Sequence, residues 1–295
     1  MGGDGIVLSR ERRPLMGPLD PRLTPARPDV AAAHLKGQVE ALRFVAGERR
    51  RVAVGHVGIR RAPGPDAPLE TEALFGEEVT VYDELEGWSW LQLATDGYVG
   101  YAPSAALSGE LGPGVTHRVA ALRTLLFPIP SIKAPPVDAL SMNALASVVE
   151  TDGRFAVLDT GAYAIAAHLA PLGTRETDPV AVAERFIGAP YLWGGRTSLG
   201  LDCSALVQLS LAACGVKAPR DTDMQEAALG KAVPLEEARR GDLMFWKGHV
   251  ALVRDAASIV HANAHAMAVA PEPLDAAVAR IRAAGDEVSS VRRLG

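Results

Sequence analysis

Cysteine is nearly absent from this chain, with two among 295 residues, Cys203 and Cys214, so no disulfide framework can be built on it. If residues 203 to 214 form one helix, the two lie about 16 Å apart along its axis. A bridge reaches only about 7 Å between Cα atoms, which excludes that pairing. Long apolar runs are also missing. No segment approaches the roughly 20 residues that carry a helix across a bilayer, and no membrane partner is expected. Nor is there a basic surplus: 30 Lys and Arg stand against 35 Asp and Glu, a net charge of -5, which argues against nucleic acid as a partner. The chain has no His-Glu-x-x-His and no compact Cys/His spacing, so neither a metal site nor another cofactor is expected, even though His261 and His265 stand four apart. Met1 to Arg13 lacks the apolar stretch and small-residue cleavage site of a secretory signal, and a cytoplasmic protein is the expectation, with a periplasmic or secreted one the alternative if a leader has been removed. Nothing in the sequence sets an oligomeric state.

What is present divides into four parts. Residues 1–50 form a proline-punctuated segment, with Pro14, Pro18, Pro21, Pro25 and Pro28 blocking regular structure. Asp29 is expected to cap a short helix through Leu35, and Gln38 to Val45 reads equally as helix or strand. Residues 51–112 switch to short alternating runs broken by turn residues, such as Val52-Ala53-Val54, Glu78 to Tyr82, Trp88 to Leu93 and Tyr98 to Tyr101. That texture predicts a small β-barrel. Residues 113–173 echo it at an offset of 64 to 66 positions. Glu86-Gly87 before Trp88 returns as Asp152-Gly153 before Phe155, and Asp96-Gly97-Tyr98 as Thr160-Gly161-Ala162-Tyr163, as expected for a duplicated domain. Residues 174–295 open with an Asp178 cap and Pro179 at a helix start, then read helix, loop, buried helix and strands, an α+β pattern.

Chemistry concentrates in this last part. Ser204 to Cys214 is nearly all apolar, so the helix is buried all round except at its first turn, which holds Asp202, Cys203 and Ser204. A helix N-terminus favours a thiolate, and Gly194, Gly195 and Gly200 upstream let backbone pass close by. A nucleophilic thiol needs a base, and His249, opening the run His-Val-Ala-Leu-Val, is the candidate. His261, ending the next strand, is placed to orient that base. Cys214 reads as a buried small hydrophobe. Arg220 in its polar loop reads as a surface ion pair or as a group that meets a substrate carboxylate. Thr222 with Gln225 has the spacing of a helix capping box.

Six motifs occur together: Pro190-Tyr191-Leu192-Trp193-Gly194-Gly195, Asp202-Cys203-Ser204, Pro219 to Gln225, Gly241-Asp242-Leu243, His249-Val250 and His261-Ala262. In order and spacing they resemble the NlpC/P60 cysteine peptidases. The resemblance implies a papain-like catalytic core with Cys203 as nucleophile, His249 as base and His261 as the third polar residue. The barrels, with Arg60, Arg61, Pro63 and Gly100-Tyr101-Ala102-Pro103 in the first, resemble bacterial SH3-type modules. The whole reads as α+β, two small SH3-like barrels ahead of the catalytic domain.

Together the modules resemble γ-D-glutamyl-L-diamino acid endopeptidases. This implies a murein peptide of the L-Ala-γ-D-Glu-diaminopimelate type as substrate, with Tyr191, Asp202, Ser204 and Thr222 bordering its N-terminal alanine and Asp202 beside the free amine. Other readings of the same residues are amidase or acyltransferase chemistry on the Cys-His pair, and a cell-wall binding protein with a vestigial catalytic domain. Trp88, Tyr98 and Tyr101 with Asp83, Glu84 and Glu86 either wall off one end of the cleft or are barrel core and turn charges.

Overall fold

The structure, a computed structural model, describes residues 19–109 and 111–295. Met1 to Arg13 and the prolines at 14 and 18 lie outside the described residues. Within them, no helix is long and apolar enough to cross a membrane.

Asp29 to Leu35 is not a helix. Val30–Ala32 is a strand running parallel to Arg43–Val45, and only Ala33–Leu35 makes a single 3-10 turn. The reason is tertiary: Val30, Ala31 and Ala32 are fully buried, and Val30, Ala32 and Leu35 pack with Tyr82 and Trp90 of the following barrel. A strand presents these side chains to a flat surface, which outweighs a weak local helix preference. The stretch Val52 to Val54 is likewise not a strand; the pairing segment is Glu48–Arg51 just before it.

The first barrel is a six-stranded sheet in the order Glu48–Arg51, Glu78–Leu85, Trp88–Leu93, Val99–Pro103, His56–Arg60, Leu69–Leu74. Alternate residues such as Val57, Ile59, Val79, Val81, Leu91 and Leu93 fill its core, as the two-residue side-chain period requires. A second sheet repeats this order without its first strand: Val148–Asp152, Phe155–Leu158, Tyr163–Ile165, Arg123–Phe127, Asp138–Ser141.

The C-terminal domain is built on an antiparallel sheet ordered Lys231–Val233, Ser290–Arg293, Leu243–Trp246, His249–Asp255, Ser258–Asn263, Ala268–Pro273. Four helices accompany it: α1 (Pro179–Glu184), α2 (Cys203–Ala213), α3 (Thr222–Ala228) and α4 (Leu274–Ala283). Phe245, Val250, Leu252, Val260 and Ala262 face α1 and α2, while Met244, Trp246, Ala251, Val253 and Ile259 face α4. Covering both faces explains why these strands read as unbroken apolar runs.

The three units share buried polar contacts. Arg196 of the C-terminal domain, 2% exposed, meets Glu77 of the first barrel at 3.1 Å and donates to the Glu72 carbonyl at 2.6 Å. Asn143 of the second barrel donates to the Leu209 carbonyl on α2. Removing one member of a buried ion pair leaves an uncompensated charge and costs about 3–5 kcal/mol. Glu77→Ala is therefore expected to lower the urea midpoint clearly and to open the junction to protease. The double variant Glu77→Leu/Arg196→Met should recover most of the loss. A Glu77→Ala midpoint equal to that of the unaltered protein would show that the pair does not hold the units together.

Candidate active site

The N-terminus of α2 is organised by one carboxylate. Asp202 Oδ1 accepts from the Ala205 amide at 2.8 Å, capping the helix, and from the Ser204 hydroxyl at 3.1 Å. Its Oδ2 accepts from the Gly194 amide at 2.9 Å, which pins the glycine loop to the helix start. Only glycine fits there: Gly194 has φ +78°, and a Cβ on Gly195 would stand 2.4 Å from the Gly200 carbonyl oxygen. Arg220 closes the cluster with 2.9 and 2.6 Å bonds from its terminal nitrogens to Asp202, a third to Ser204 and one from Nε to Thr71 of the first barrel.

This arrangement corrects three expectations. Arg220 is neither a surface ion pair nor a grip for a substrate carboxylate, because it is 1% exposed and each of its nitrogens is already bonded. Asp202 is not the counter-ion of a substrate amine, since Arg220 supplies that cation and both oxygens are occupied. Ser204 lines the cleft, but its hydroxyl is bonded inside the same cluster. The capping box is also absent. Asp221 is the N-cap of α3, Thr222 is its first residue, and Gln225 donates to the Ser204 and Pro219 carbonyls instead.

Cys203, buried at the first position of α2, lines a cleft of about 330 Å³ together with Tyr191, Trp193, Ser204, Thr222 and Gly248. Burial and the Asp202 charge push its thiol up to about 11, opposed by the Val250 amide and the Thr222 hydroxyl at the sulfur. The resting thiol is therefore protonated rather than a free thiolate, and the helix N-terminus does not outweigh the loss of water. Cys214, the C-cap of α2, is more exposed than Cys203, contrary to the sequence reading.

His249 opens a strand that packs against α2, and the residue after it supplies the amide at the sulfur. His249 Nε2 lies 2.8 Å from His261 Nδ1, and His261 Nε2 lies 3.0 Å from Glu272 Oε2, whose carboxylate also binds Arg280 at 2.7 Å. The three groups form a diagonal across three adjacent strands, because the pairing His261↔Ala270 puts Glu272 two positions along on the same face.

Protonation states follow from this chain. The Arg280 guanidinium holds the Glu272 carboxyl below its usual range, so it is ionised and can only accept. His261 must then carry its proton on Nε2 and offer Nδ1 as acceptor to His249. His249 in turn carries its proton on Nε2, which leaves Nδ1 as the one basic atom of the pair. Burial drives both imidazoles down, His249 to about 3 and His261 to about 4, so both are neutral at pH 7. The resting site thus holds a protonated thiol and a neutral His249. Tyr191 is pushed up to about 12 by burial and by the neighbouring Cys203 and Asp202, and keeps its phenol proton to donate.

Sequence reading missed Glu272 because it ended the strand series at His261. The signal was there, an acid two residues beyond the position opposite His261. It also missed Asp221 and Glu70 at the cleft mouth, where Tyr98 takes the cleft-wall place that was one of its two readings. The Tyr98 hydroxyl donates to Asp221 Oδ2 at 3.2 Å and lies 3.4 Å from Glu70 Oε2. Of the first-barrel aromatics, Tyr98 alone lines this cleft. Trp88 and Tyr101 line a separate groove with Arg27 and Trp90.

Comparison with known proteins now has a geometry to meet. Residues 188–282 match the NlpC/P60 family, and residues 59–107 match the bacterial dipeptidyl-peptidase SH3 domain. The chain therefore carries an NlpC/P60 domain behind an SH3-type domain. A gamma-D-glutamyl-L-lysine dipeptidyl-peptidase of Bacillus subtilis (strain 168) is 28% identical over 194 residues, covering 61% of this chain and 65% of that protein, slightly under two thirds of its length. Dipeptidyl-peptidase 6 of Lysinibacillus sphaericus is 27% identical over 224 residues, covering 68% and 82% of the two chains. An NlpC/P60 family protein from Bacillus cereus ATCC 10987 superposes with a TM-score of 0.72 at 23% identity, over 83% of this chain and 99% of that one, which shows a shared fold.

Two measurements test the relay in this NlpC/P60 domain. In Glu272→Gln, Arg280 takes the amide oxygen and His261 meets the amide N–H, which reverses both tautomers and puts a proton on His249 Nδ1. Glu272→Gln is expected to lose more kcat than Glu272→Ala, and Gln equal to or better than Ala would break the tautomer argument. Because His249 is held well below the ordinary histidine value of about 6.5, kcat/KM should keep its plateau as pH falls through 6.5. An inflection there would show a solvated base.

Proposed function

We propose that this chain is a cysteine peptidase that cleaves the γ-D-glutamyl to L-diamino acid bond of short murein peptides carrying a free N-terminal L-alanine. The observation that carries the proposal is Cys203 at a helix start inside a polar cleft, with the Val250 amide favouring its thiolate and, one residue earlier, a His249 whose tautomer is set by His261 and Glu272. The name of the Bacillus subtilis relative supplies the bond class. A vestigial, binding-only domain would have no use for that relay.

In the reaction, Cys203 gives its proton to His249 Nδ1 as the sulfur attacks the γ-carbonyl. The Cys203 amide at the open helix end and the Tyr191 hydroxyl are the donors available to the oxyanion. His249 passes the proton to the departing amine. Water, deprotonated by the same imidazole, then releases L-Ala-γ-D-Glu from the thioester.

The ammonium of the substrate requires an acidic partner, and Asp221 replaces Asp202 in that role. Burial raises its carboxyl above the ordinary range, Oδ2 is bonded to Tyr98 and Arg22, and among the described residues nothing bonds to Oδ1. The paired Glu70 lies beside it. Reading the substrate as a small free peptide accords with the cytoplasmic location expected above, which cell fractionation tests.

Incubation with L-Ala-γ-D-Glu-diaminopimelate followed by mass spectrometry should yield L-Ala-γ-D-Glu and free diaminopimelate. Cys203→Ala should abolish turnover while leaving the melting temperature unchanged. His249→Ala should lower kcat/KM by about 10²–10⁴-fold and His261→Gln by less. Release of any other product pair, or turnover surviving in Cys203→Ala, would remove the proposal.

A further inference from the structure

The N-terminal strap reaches the cleft through one side chain. Arg22 hangs from the first barrel by its own backbone: its carbonyl accepts from the Val99 amide at 2.8 Å, and the next carbonyl, of Leu23, accepts from Gln92. Leu23 packs against the barrel core. From this anchored position the Arg22 guanidinium crosses to the C-terminal domain. It binds Asp221 Oδ2 at 2.8 Å and both oxygens of Asp223 at 3.0 and 2.8 Å, and it returns to Asp20 at 2.8 Å. The group lines the same cleft as Cys203.

Two features of this contact point away from a simple staple. Exposed ion pairs contribute about 0–1 kcal/mol each, which is little return for three carboxylates gathered at one point. Three carboxylates sharing one guanidinium also leave the cleft mouth with a net charge of -2, since Glu70 is neutralised separately by Arg61. A mouth of that charge favours a cationic ligand end. Arg22 engages one oxygen of Asp221 and leaves the other to the cleft, so the carboxylate cannot turn away from the ligand.

We propose that Arg22 is a specificity-determining positioning residue, which holds Asp221 by Oδ2 so that Oδ1 meets the terminal ammonium of the substrate, while the strap closes the cleft beyond that point. This role rests on the murein-peptide reading of the site. A substrate whose chain continued past the alanine would have to displace the strap. One that ended there without a positive charge would leave Asp221 Oδ1 without a cationic partner.

The test compares L-Ala-γ-D-Glu-diaminopimelate with its N-acetylated form in the full chain, its Arg22→Gln and Arg22→Lys variants, and an Arg27→Gln control. Arg27 belongs to the same strap but sits over Trp90, 4.6 Å from the ring centroid, in the separate groove. Arg22→Gln is expected to raise KM for the free peptide about tenfold or more, the size of one lost charge-assisted hydrogen bond, with kcat within about twofold. The N-acetylated peptide should be unaffected, so the preference for a free amine collapses. Arg22→Lys should restore part of it, and Arg27→Gln should leave it intact. If Arg22→Gln does not fold, Asp223→Asn loosens the guanidinium without removing it and should lower the same preference several-fold. A wild-type preference that survives in these variants, or an equal loss on both peptides, would overturn the role of Arg22 alone. Equal wild-type rates on the two peptides would overturn amine recognition and this role with it.

Discussion

The buried pair between Asp202 and Arg220 is the contact on which the site depends. One carboxylate caps α2, ties down the Gly194 loop and receives the guanidinium, while that guanidinium reaches Ser204 and, across the domain boundary, Thr71. Position of the nucleophile and shape of the loop that walls the cleft are therefore set by a single ion pair, which acts with Arg196–Glu77 in docking the first barrel. Both partners are fully bonded, as buried charges must be to persist. That completeness also removes them from ligand chemistry.

Losing Asp202 as a ligand group moves the electrostatics outward. The helix end and Arg220 favour a thiolate at Cys203, but burial and Asp202 oppose it, and the balance leaves a neutral thiol. A neutral thiol beside a neutral imidazole suits a closed cleft, where separated charges are costly until the oxyanion forms with its donors. The relay through His261 to Glu272 contributes orientation to this pair. With the carboxylate two residues removed from the base, it fixes the tautomer without forming a direct ion pair at His249.

The first barrel is a wall of the cleft rather than an appendage. Tyr98 and Glu70 project from it into the site, and its Thr71–Glu77 segment carries the Arg196 and Arg220 contacts. The strap completes the same wall through the bond from the Val99 amide to the Arg22 carbonyl. A chain cut between barrel and C-terminal domain would strand two buried guanidinium groups, so the units function as one body.

Much of this was legible from residue order alone. Buried helix α2, the strands carrying His249 and His261, and the duplicated barrel texture follow from local periodicity and from motif spacing, since each depends on neighbours within a few residues. The segment from Asp29 to Leu35 and the strand before Val52 were misread, because burial against Tyr82 and Trp90 and pairing with Glu78–Leu85 came from residues far along the chain. The roles of Asp202 and Arg220 were also out of reach. A carboxylate beside a nucleophile looks the same in sequence whether a substrate or an arginine eighteen residues away neutralises it. Sequence by itself picked out Cys203, His249 and His261 as the groups expected to carry the chemistry, because nucleophile, base and orienting residue are types with few substitutes. Tertiary structure alone decided which charges pair, because pairing depends on distance through space between residues as remote as Arg22 and Asp221.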